Sequence, residues 1–347
     1  MRSLPPILHE NTPWEARRQE LIEVLCREEY GSLPRLHDSL TFRAGGADGS
    51  FCAGKAYHTH VEATATFGKD SFTFPFGVTI PKGDGPHPFF VFLNFTDGIA
   101  DKYLPIEEIV DRGFAVLHLC YEDVTPDQSF VRRKDYDSPL YRAIYGGTVP
   151  ADRCGTIAVW AWAASRVMDY AMERPELDKT RAAVVGHSRL GKTALLAGAL
   201  DTRFTHVISN DSGCSGAALT RGKAGEGIGD ITEVFPHWFL PSYAAYGGRE
   251  EEMPFDQHFL LAAIAPRQLC VGSAILDQWA DPRSEFLACR AASCAYEALG
   301  LPGLVVPDRD PVPGDVFAEG KIAYHLRHGS HYMSREDWAR YMDVLEK

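Results

Sequence analysis

The stretch AAVVGHSRLGKTALLAGAL, residues 182–200, decides the fold of this chain. Its first four residues are small or β-branched and apolar, which is typical of a strand buried on both faces in a parallel sheet. Residues 192–200 are rich in Ala and Leu and predict a helix. The turn between them, GHSRLG, holds Ser188 between two glycines. The order strand, glycine-flanked serine and helix predicts a nucleophile elbow.

The two glycines of this turn, Gly186 and Gly191, explain why a serine is expected at its apex. They allow the strand and the helix to approach closely, and the strained backbone then lifts the hydroxyl of Ser188 above the sheet. The second glycine comes one residue later than in the G-x-S-x-G spacing. A chance GxSxxG in a surface loop is the alternative interpretation.

The composition argues against several classes of protein and of binding partner. The 347 residues carry a formal net charge of -12, which argues against nucleic acid or an anionic membrane as a partner, because both need basic patches. No apolar run has the length of a membrane span. The N-terminal residues lack the apolar segment and cleavage site of a signal peptide. We therefore expect a cytoplasmic protein, or a secreted one whose signal has been trimmed.

The spacing of cysteines and histidines gives no metal pattern. The eight cysteines include no CxxC pair and mostly lie in apolar runs, which predicts buried free thiols. The thirteen histidines include no HExxH motif, and His325, His328 and His331 are spaced by threes near the end of a predicted strand. We therefore expect neither a metal nor a cofactor.

Strands and helices alternate along most of the chain. Buried strands are predicted at residues 89–94, 115–120, 182–185, 205–209, 268–274 and 322–326, with helices between them. This alternation predicts an α/β fold with a mostly parallel, doubly wound central sheet, helices on both faces and ligands at the carboxyl ends of the strands. In the helix predicted at 156–173, Trp160 and Trp162 are expected to pack in the core rather than bind sugar.

We expect one domain over residues 1–347. An N-terminal extension, at about 1–80, is predicted to hold a helix at 14–30 and two or three antiparallel strands. Two long excursions are expected to rim the pocket: a polar loop at about 121–153, and residues 212–258, which contain helix fragments.

Three residues follow predicted strands in the order that a serine hydrolase of this fold requires. A serine nucleophile needs a base, and the base needs a carboxylate that orients it. Ser188, Asp277 and His331 have the expected chain order of nucleophile, acid and base. His328 is the rival base, and Asp281 is the rival acid.

These residues carry a resemblance. The chain resembles the glucuronoyl esterases, carbohydrate esterase family 15 of the α/β-hydrolase superfamily, and more distantly the bacterial acetylxylan esterases. The resemblance covers residues 14–331 and rests on the GxSRxGK elbow, the Trp-Ala-Trp helix before it and the Ser212-Gly213 turn. Further parts are the segment DQHFLLA at 256–262, the Asp277-x-Trp279 pair and the final histidine loop, which favours His331 as the base.

The resemblance also implies roles for residues around the serine. Arg189 would help to form the oxyanion hole, which matters because the chain lacks an HGGG motif. Lys192 would contact a sugar hydroxyl. Trp279 and a glutamate of the second excursion would hold the uronate ring; Glu233 is the candidate by position, and Glu226 is its substitute.

Two further features of the family differ between its members. Some use an acid after the sixth strand and others an aspartate after the seventh; here Asp211 is at the first place and Asp277 at the second. We expect Asp277 to be the principal acid and Asp211 a helper. Fungal members carry a disulfide between cysteines beside the nucleophile and the base. His187 and Tyr332 are at those places here, so that disulfide is absent.

Together these features predict a serine carbohydrate esterase that hydrolyses (4-O-methyl-)glucuronoyl esters through an acyl-enzyme. Its partner would be a small-molecule or oligosaccharide uronate ester. An acetylxylan or other O-acetyl carbohydrate esterase is the alternative enzyme. A catalytically silent hydrolase fold that binds carbohydrate is the alternative of another class.

Overall fold

Ten strands form one sheet in the computed structural model, which describes residues 2–33, 36–128 and 138–347. In chain order the strands are β1 (Ser39–Ala44), β2 (Ala56–Phe67), β3 (Asp70–Pro81), β4 (His87–Asn94), β5 (Ala115–Cys120), β6 (Leu177–His187), β7 (His206–Asn210), β8 (Gln268–Ala274), β9 (Val316–Phe317) and β10 (Ile322–Arg327). Their order across the sheet is β1-β2-β3-β5-β4-β6-β7-β8-β10-β9. The six strands from β5 to β10 in that order are parallel, and the antiparallel strands lie at the two edges. The predicted mostly parallel sheet is confirmed.

The parallel centre of the sheet is buried on both faces because its strands are apolar. Every residue of β4 and of β5 is buried. Along β6, Ala182 and Val184 belong to one hydrophobic core, whereas Ala183 and Val185 belong to the other. This alternation follows from the two-residue repeat of a strand. Residues 182–185 thus lie on the boundary between the two cores.

Helices cover both faces of the sheet. They are α1 (Trp14–Leu25), α2 (Phe51–Gly54), α3 (Ile106–Asp111), α4 (Tyr121–Val124), α5 (Pro139–Tyr145), α6 (Thr156–Met172), α7 (Arg189–Leu200), α8 (Ile228–Val234), α9 (His258–Ala262), α10 (Pro282–Glu297) and α11 (Arg335–Leu345). The larger core contains apolar residues of α1, α6, α7, α9 and α10, and the smaller core those of α3 and α11. Trp160 and Trp162 are buried in the larger core, as predicted.

Two stretches differ from the predicted elements. The helix predicted at 14–30 is α1 followed by a π-helical turn, Cys26–Tyr30, which ends at Gly31 with a φ of 75°. The region 121–153, predicted as a loop, contains α4 and α5, and its residues 129–137 lie outside the described residues. The second excursion contains α8 and two 3₁₀ turns, Pro241–Tyr246 and Glu250–Glu252.

All eight cysteines are free thiols, of which six are buried and Cys26 and Cys294 are half-buried. Among the helices of the described residues, none combines the length and the apolar character needed to cross a bilayer.

The last residue of β6, His187, is a buried histidine at the carboxyl end of the parallel strands. His187 is 1% exposed, and its Nδ1 lies 2.7 Å from Oδ1 of Asn210. Asn210 donates from its amide group to the hydroxyl of Tyr341, so its Oδ1 accepts and Nδ1 of His187 carries the proton. Burial first, and then the charge of the neighbouring His331, lower the pKa of His187 to about 3. The ring is therefore neutral at neutral and mildly acidic pH.

We expect His187 to make the free energy of unfolding depend on pH between 6.5 and about 3. The unfolded chain binds a proton at the ordinary histidine pKa of 6.5, whereas the folded chain binds it only near pH 3. The contribution of His187 is therefore complete above pH 6.5 and is lost as the pH falls toward 3, by up to about 1.4 kcal/mol per pH unit. In His187→Phe, denaturant titrations at several pH values should give a correspondingly smaller slope.

His328→Asn is the control, because this exposed ring makes no hydrogen bond within the described residues. It should keep the wild-type slope. A slope in His187→Phe equal to that of the wild type would contradict a buried neutral ring.

Candidate active site

Ser188 occupies the turn between β6 and α7. Its backbone has a φ of 57° and a ψ of -124°, which costs a non-glycine residue free energy. Its amide donates to the carbonyl oxygen of Asn210 at 2.9 Å, which ties the turn to the end of β7. A Cβ on Gly186 would lie 2.2 Å from the carbonyl oxygen of Leu190, so only glycine permits this approach. The predicted elbow is present, and its serine is half-buried.

His331 connects this serine to a carboxylate. Its Nε2 lies 2.9 Å from Oγ of Ser188, and its Nδ1 lies 2.6 Å from Oδ2 of Asp277. The side chain of His331 is 46% exposed and that of Asp277 is 5% exposed, so the ring faces solvent while the acid is shielded. Burial acts to raise the pKa of Asp277, but the hydrogen bond and charge of His331 outweigh it, and the pKa is lowered. An ionised carboxylate can thus orient the imidazole and stabilise its protonated form.

The loops that carry the acid and the imidazole are joined by their backbones. β8 and β10 are parallel neighbours, and Asp277 and His331 each follow the end of one of them. Beyond the strand ends, the amide of Ile275 donates to the carbonyl oxygen of Arg327 at 3.0 Å, and that of Leu276 donates to Gly329 at 2.9 Å. The separation of Asp277 and His331 is therefore set by main-chain hydrogen bonds as well as by their own contact.

The two rival residues have other positions. Asp281 is the N-cap of α10: its side chain accepts from the amide of Ser284 at 3.1 Å and from the amide of Ala224 at 2.8 Å. The ring of His328 is exposed and makes no hydrogen bond within the described residues. The geometry therefore favours Asp277 and His331.

Asp211, the predicted helper acid, lies beside the other two residues. One polar side-chain atom from each of Asp211, Asp277 and His331 falls within 4.8 Å of the others. Oδ1 of Asp211 accepts from the amide of Ala274 at 2.7 Å, and Oδ2 accepts from Nη2 of Arg327 at 3.1 Å. Both of its oxygens are thus already engaged, and neither engages the imidazole.

Arg327 transmits the effect of Asp211 to the histidine loop. Its guanidinium donates to the carbonyl oxygens of His328 at 3.0 Å and Ser330 at 3.2 Å, and to Asp337 at 2.7 Å. Burial, and then the charge of a neighbouring buried glutamate, raise the pKa of Asp211, which is the opposite of the direction at Asp277. Asp211 therefore supports the loop through Arg327 and is the weaker candidate for the acid that faces the imidazole.

Within the described residues, one group of His, Cys, Asp or Glu side chains has the spacing to hold a metal ion. It consists of Asp211, Asp277 and His331. Both ring nitrogens of His331 already contact Ser188 and Asp277. Hydrogen bonds within the protein therefore account for this grouping without an ion.

Aromatic rings occupy the place where fungal members of the resembled family carry a disulfide. The ring of Tyr103 lies between those of His187 and Tyr332, with centroids 5.2 Å from each. His187 also packs against His331 at 4.5 Å between centroids. Tilted rings in contact thus connect His187, which precedes the nucleophile, with Tyr332, which follows the base.

Arg189, the first residue of α7, is paired with a carboxylate from the first excursion. Its Nη1 donates to Oδ2 of Asp127. Its guanidinium carbon lies 4.8 Å from the ring centroid of Trp238 and 5.2 Å from that of Phe235. The side chain is 25% exposed, so part of it reaches the surface next to Ser188.

Lys192 lies one turn farther along α7 and is buried. Its ammonium donates to the carbonyl oxygens of Ser212 and Cys214, the latter at 2.6 Å, and its exposed fraction is 3%. These contacts hold the turn that follows β7. They use two of the three ammonium donors and leave one for any further partner.

The predicted uronate-binding residues divide into two groups. Trp279 is 57% exposed and Glu226 is half-buried, and the carbonyl oxygen of Trp279 accepts from the amide of Glu226 at 3.0 Å, so the main chains of these two residues are in contact. Burial raises the pKa of the Cys214 thiol to about 12. The charge of Lys192 acts to lower this pKa and that of Glu226 to raise it. Glu233 is exposed on α8 and makes no side-chain hydrogen bond within the described residues. The structure therefore groups Glu226, rather than Glu233, with Trp279.

Two residues of this site, Asp127 and Arg327, were not predicted from the sequence. Asp127 follows the strand β5, and a carboxylate after a parallel strand is a signal that could have identified it. Arg327 is the last residue of β10 and reads as an ordinary strand residue, because its partners come from distant segments.

Comparisons with known proteins agree with this geometry. The family model described as "Glucuronyl esterase, fungi" matches residues 63–300. The carbohydrate esterase MZ0003 of an unknown prokaryotic organism is 41% identical over 253 residues, which is 72% of this chain and 57% of that protein. A 4-O-methyl-glucuronoyl methylesterase of Podospora anserina is 31% identical over 302 residues, 83% of this chain and 56% of that protein. The chain thus spans a little over half the length of these curated relatives.

Solved structures match over the whole chain. A promiscuous CE15 esterase from a marine bacterial metagenome has a TM-score of 0.89 at 31% identity, covering 100% of this chain and 97% of its own. The glucuronoyl esterase of Solibacter usitatus has a TM-score of 0.88 at 31% identity with the same coverage. The chain therefore has the α/β-hydrolase fold and belongs to the glucuronoyl esterase family, carbohydrate esterase family 15.

Proposed function

We propose that this chain is a serine esterase that hydrolyses (4-O-methyl-)glucuronoyl esters through an acyl-enzyme. The observation that carries the proposal is the pair of hydrogen bonds from Ser188 through His331 to Asp277. The acid side of the ester is inferred from relatives named 4-O-methyl-glucuronoyl methylesterase. The substrate would be a small-molecule or oligosaccharide uronate ester.

The reaction would proceed in two halves. Nε2 of His331 takes the hydroxyl proton as Oγ of Ser188 attacks the ester carbonyl, and Asp277 stabilises the imidazolium that results. The tetrahedral intermediate then expels the alcohol, which receives the proton from His331, and the glucuronoyl group remains on Ser188. In the second half, water loses a proton to His331 and attacks the acyl-enzyme, which releases the uronic acid and restores the serine hydroxyl.

Arg189 would provide part of the oxyanion hole. The carbonyl oxygen gains negative charge in each tetrahedral intermediate, and donors already in place stabilise that charge most effectively. Arg189 follows the nucleophile directly and keeps donors that no protein group in the described residues uses. Its positive charge compensates for the absence of an HGGG motif in this chain.

The uronate ring would bind at the rim that Trp279 and Glu226 form. An exposed indole offers an apolar face to a sugar, and a neighbouring carboxylate can accept from sugar hydroxyls. Lys192 would contribute its remaining N–H donor and hold the turn beneath the ring. Glu233 is the less supported of the two glutamates.

Cleavage of O-acetyl esters is the second candidate function. A structural relative over the full chain is named a promiscuous CE15 esterase, so a broader range of esters suits this fold. For the compartment, we keep the cytoplasm as the prediction, because eight free thiols fit a reducing environment.

Ser188→Ala should abolish hydrolysis of methyl glucuronate, with a fall in kcat of about 10⁴-fold or more, because no nucleophile remains. Initial rates and labelling by a fluorophosphonate probe, read by mass spectrometry, measure the effect. Ser71→Ala, the same change on an exposed residue of β3, should leave both unchanged. Hydrolysis that persists in Ser188→Ala would refute the mechanism. A wild-type protein that neither hydrolyses nor is labelled would point to a carbohydrate-binding module instead.

The identity of the acid is tested by three carboxylate-to-amide changes. Asp277→Asn should lower kcat by about 10³- to 10⁴-fold, because the imidazole loses its acceptor and its charge partner. Asp211→Asn should cost less, because Asp211 acts through Arg327. Asp281→Asn should lower the free energy of unfolding, because one of its two acceptor oxygens is lost, but should keep kcat within about threefold, because Asp281 caps α10 and does not contact the imidazole. Steady-state kinetics at fixed pH measure these changes. A larger loss of kcat in Asp211→Asn than in Asp277→Asn would reverse the assignment of the principal acid.

Trp279→Ala should separate the two ester classes. We expect KM for methyl glucuronate to rise about tenfold, equivalent to about 1.4 kcal/mol, with a nearly unchanged kcat. Hydrolysis of 4-nitrophenyl acetate should not change, because its acid moiety is too small to reach the rim. Tyr57→Ala, at another exposed aromatic residue, is the control and should affect neither substrate. Equal losses on both substrates would argue against a uronate-binding role.

A further inference from the structure

The guanidinium of Arg189 is held by one carboxylate and three aromatic rings. The carboxylate is Asp127, three residues after α4 ends at Val124. Besides Trp238 and Phe235, the ring of Phe95 lies 5.9 Å from the guanidinium carbon. Rings within about 6 Å attract a cation, so these contacts fix the plane in which the guanidinium lies.

Asp127 is itself fully occupied. Its Oδ1 accepts from Nε2 of His237 and from Nε1 of Trp238, each at 2.7 Å. Its Oδ2 accepts from Arg189 and from the hydroxyl of Tyr121 at 3.3 Å. The carboxylate is 5% exposed, so four donors from three separate segments determine its position.

The electrostatics fit an ionised carboxylate. Burial acts to raise the pKa of Asp127, but the hydrogen bond from His237 and the charge of Arg189 outweigh burial and lower it. A buried carboxylate that stays ionised needs a cation and several donors, and Asp127 has both.

The pairing leaves most of the guanidinium free. Asp127 engages Nη1 alone, and Nε of Arg189 is buried without a partner in the described residues. A guanidinium has five N–H donors in a rigid plane, so fixing one nitrogen and the plane also fixes the direction of the others. Because Nε is buried, Nη2, for which no hydrogen bond is found in the described residues, is the nitrogen that could donate to an oxyanion beside the nucleophile.

We propose that Asp127 is a positioning residue that fixes the Arg189 guanidinium for oxyanion stabilisation, although it does not itself touch the substrate. The proposal rests on the function proposed above, in which Arg189 belongs to the oxyanion hole. The hydrogen bonds of Asp127 with His237 and Trp238 thereby connect the two excursions to the elbow. In this proposal the excursions help to set the geometry of the oxyanion hole.

Asp127→Asn tests this with little change in volume. Asparagine has one acceptor oxygen where aspartate has two, so it cannot serve both Arg189 and the His237–Trp238 donors. We expect kcat on methyl glucuronate to fall about 10- to 100-fold while KM stays within about threefold, because the loss falls on the transition state. Asp123→Asn, the same change at an exposed residue of α4, should leave both parameters unchanged.

A double-mutant cycle distinguishes positioning from a general structural role. In an Arg189→Ala background, Asp127→Asn should lower kcat by no more than about threefold, because the group that it positions is gone. The same factor in both backgrounds, or an unaffected kcat in Asp127→Asn, would overturn the proposal.

A measurement on the wild-type protein keeps the proposal testable if Asp127→Asn does not fold. The ¹H–¹⁵N heteronuclear NOE of the Arg189 Nε–H group, assigned with Arg189→Lys, should be as high as that of the ordered backbone. The exposed Arg290, whose Nε makes no hydrogen bond within the described residues, should give a low value. A low value at Arg189 would overturn the positioning role. This readout does not depend on hydrolysis, whereas residual activity in Ser188→Ala would refute the proposed function and leave the NOE unchanged.

Discussion

The two hydrogen bonds of His331 are the interaction on which the candidate site depends. One imidazole connects the loop after β6 with the loop after β8, while itself belonging to the loop after β10. Parallel strands make this possible, because their carboxyl ends meet at one edge of the sheet. Side-chain contacts alone would hold the ring loosely, since nearly half of it is exposed. The backbone hydrogen bonds between the acid loop and the histidine loop supply the missing rigidity.

Beneath those loops lies a second constraint, the buried guanidinium of Arg327. It contacts two buried carboxylates, Asp211 and Asp337, and two carbonyl oxygens of the histidine loop. Removing one partner of such a cluster leaves an uncompensated buried charge, which is strongly destabilising. The cluster therefore gives the loop one favoured conformation. Through this cluster Asp211, which follows β7, is connected to the histidine loop, while Asp277 contacts the imidazole itself.

Much of the fold and the central residues could be predicted because their signals are local. The apolar strand before Ser188, the glycine-flanked turn and the order of nucleophile, acid and base are all legible along the sequence. The contacts that support these residues cannot be recognised along the sequence. Asp127 and Arg189 are 62 positions apart in the sequence, and Asp211 and Arg327 are 116 apart. No periodic pattern in the sequence indicates contacts between residues so far apart. For the same reason the sequence does not reveal that Glu226, and not Glu233, is hydrogen-bonded to the main chain of Trp279.

The pairing of Arg189 with Asp127 bears on what an oxyanion hole must provide. A carboxylate beside the arginine cancels part of its positive potential, so net charge alone cannot be what this arrangement maximises. A free arginine next to the serine would carry more potential but would have to be ordered in each turnover. Donors that are already in place avoid that cost, and this is the larger part of electrostatic catalysis. If Arg189 serves in the oxyanion hole as proposed, a fixed guanidinium would take the place of the fixed backbone amides of an HGGG loop, which this chain lacks.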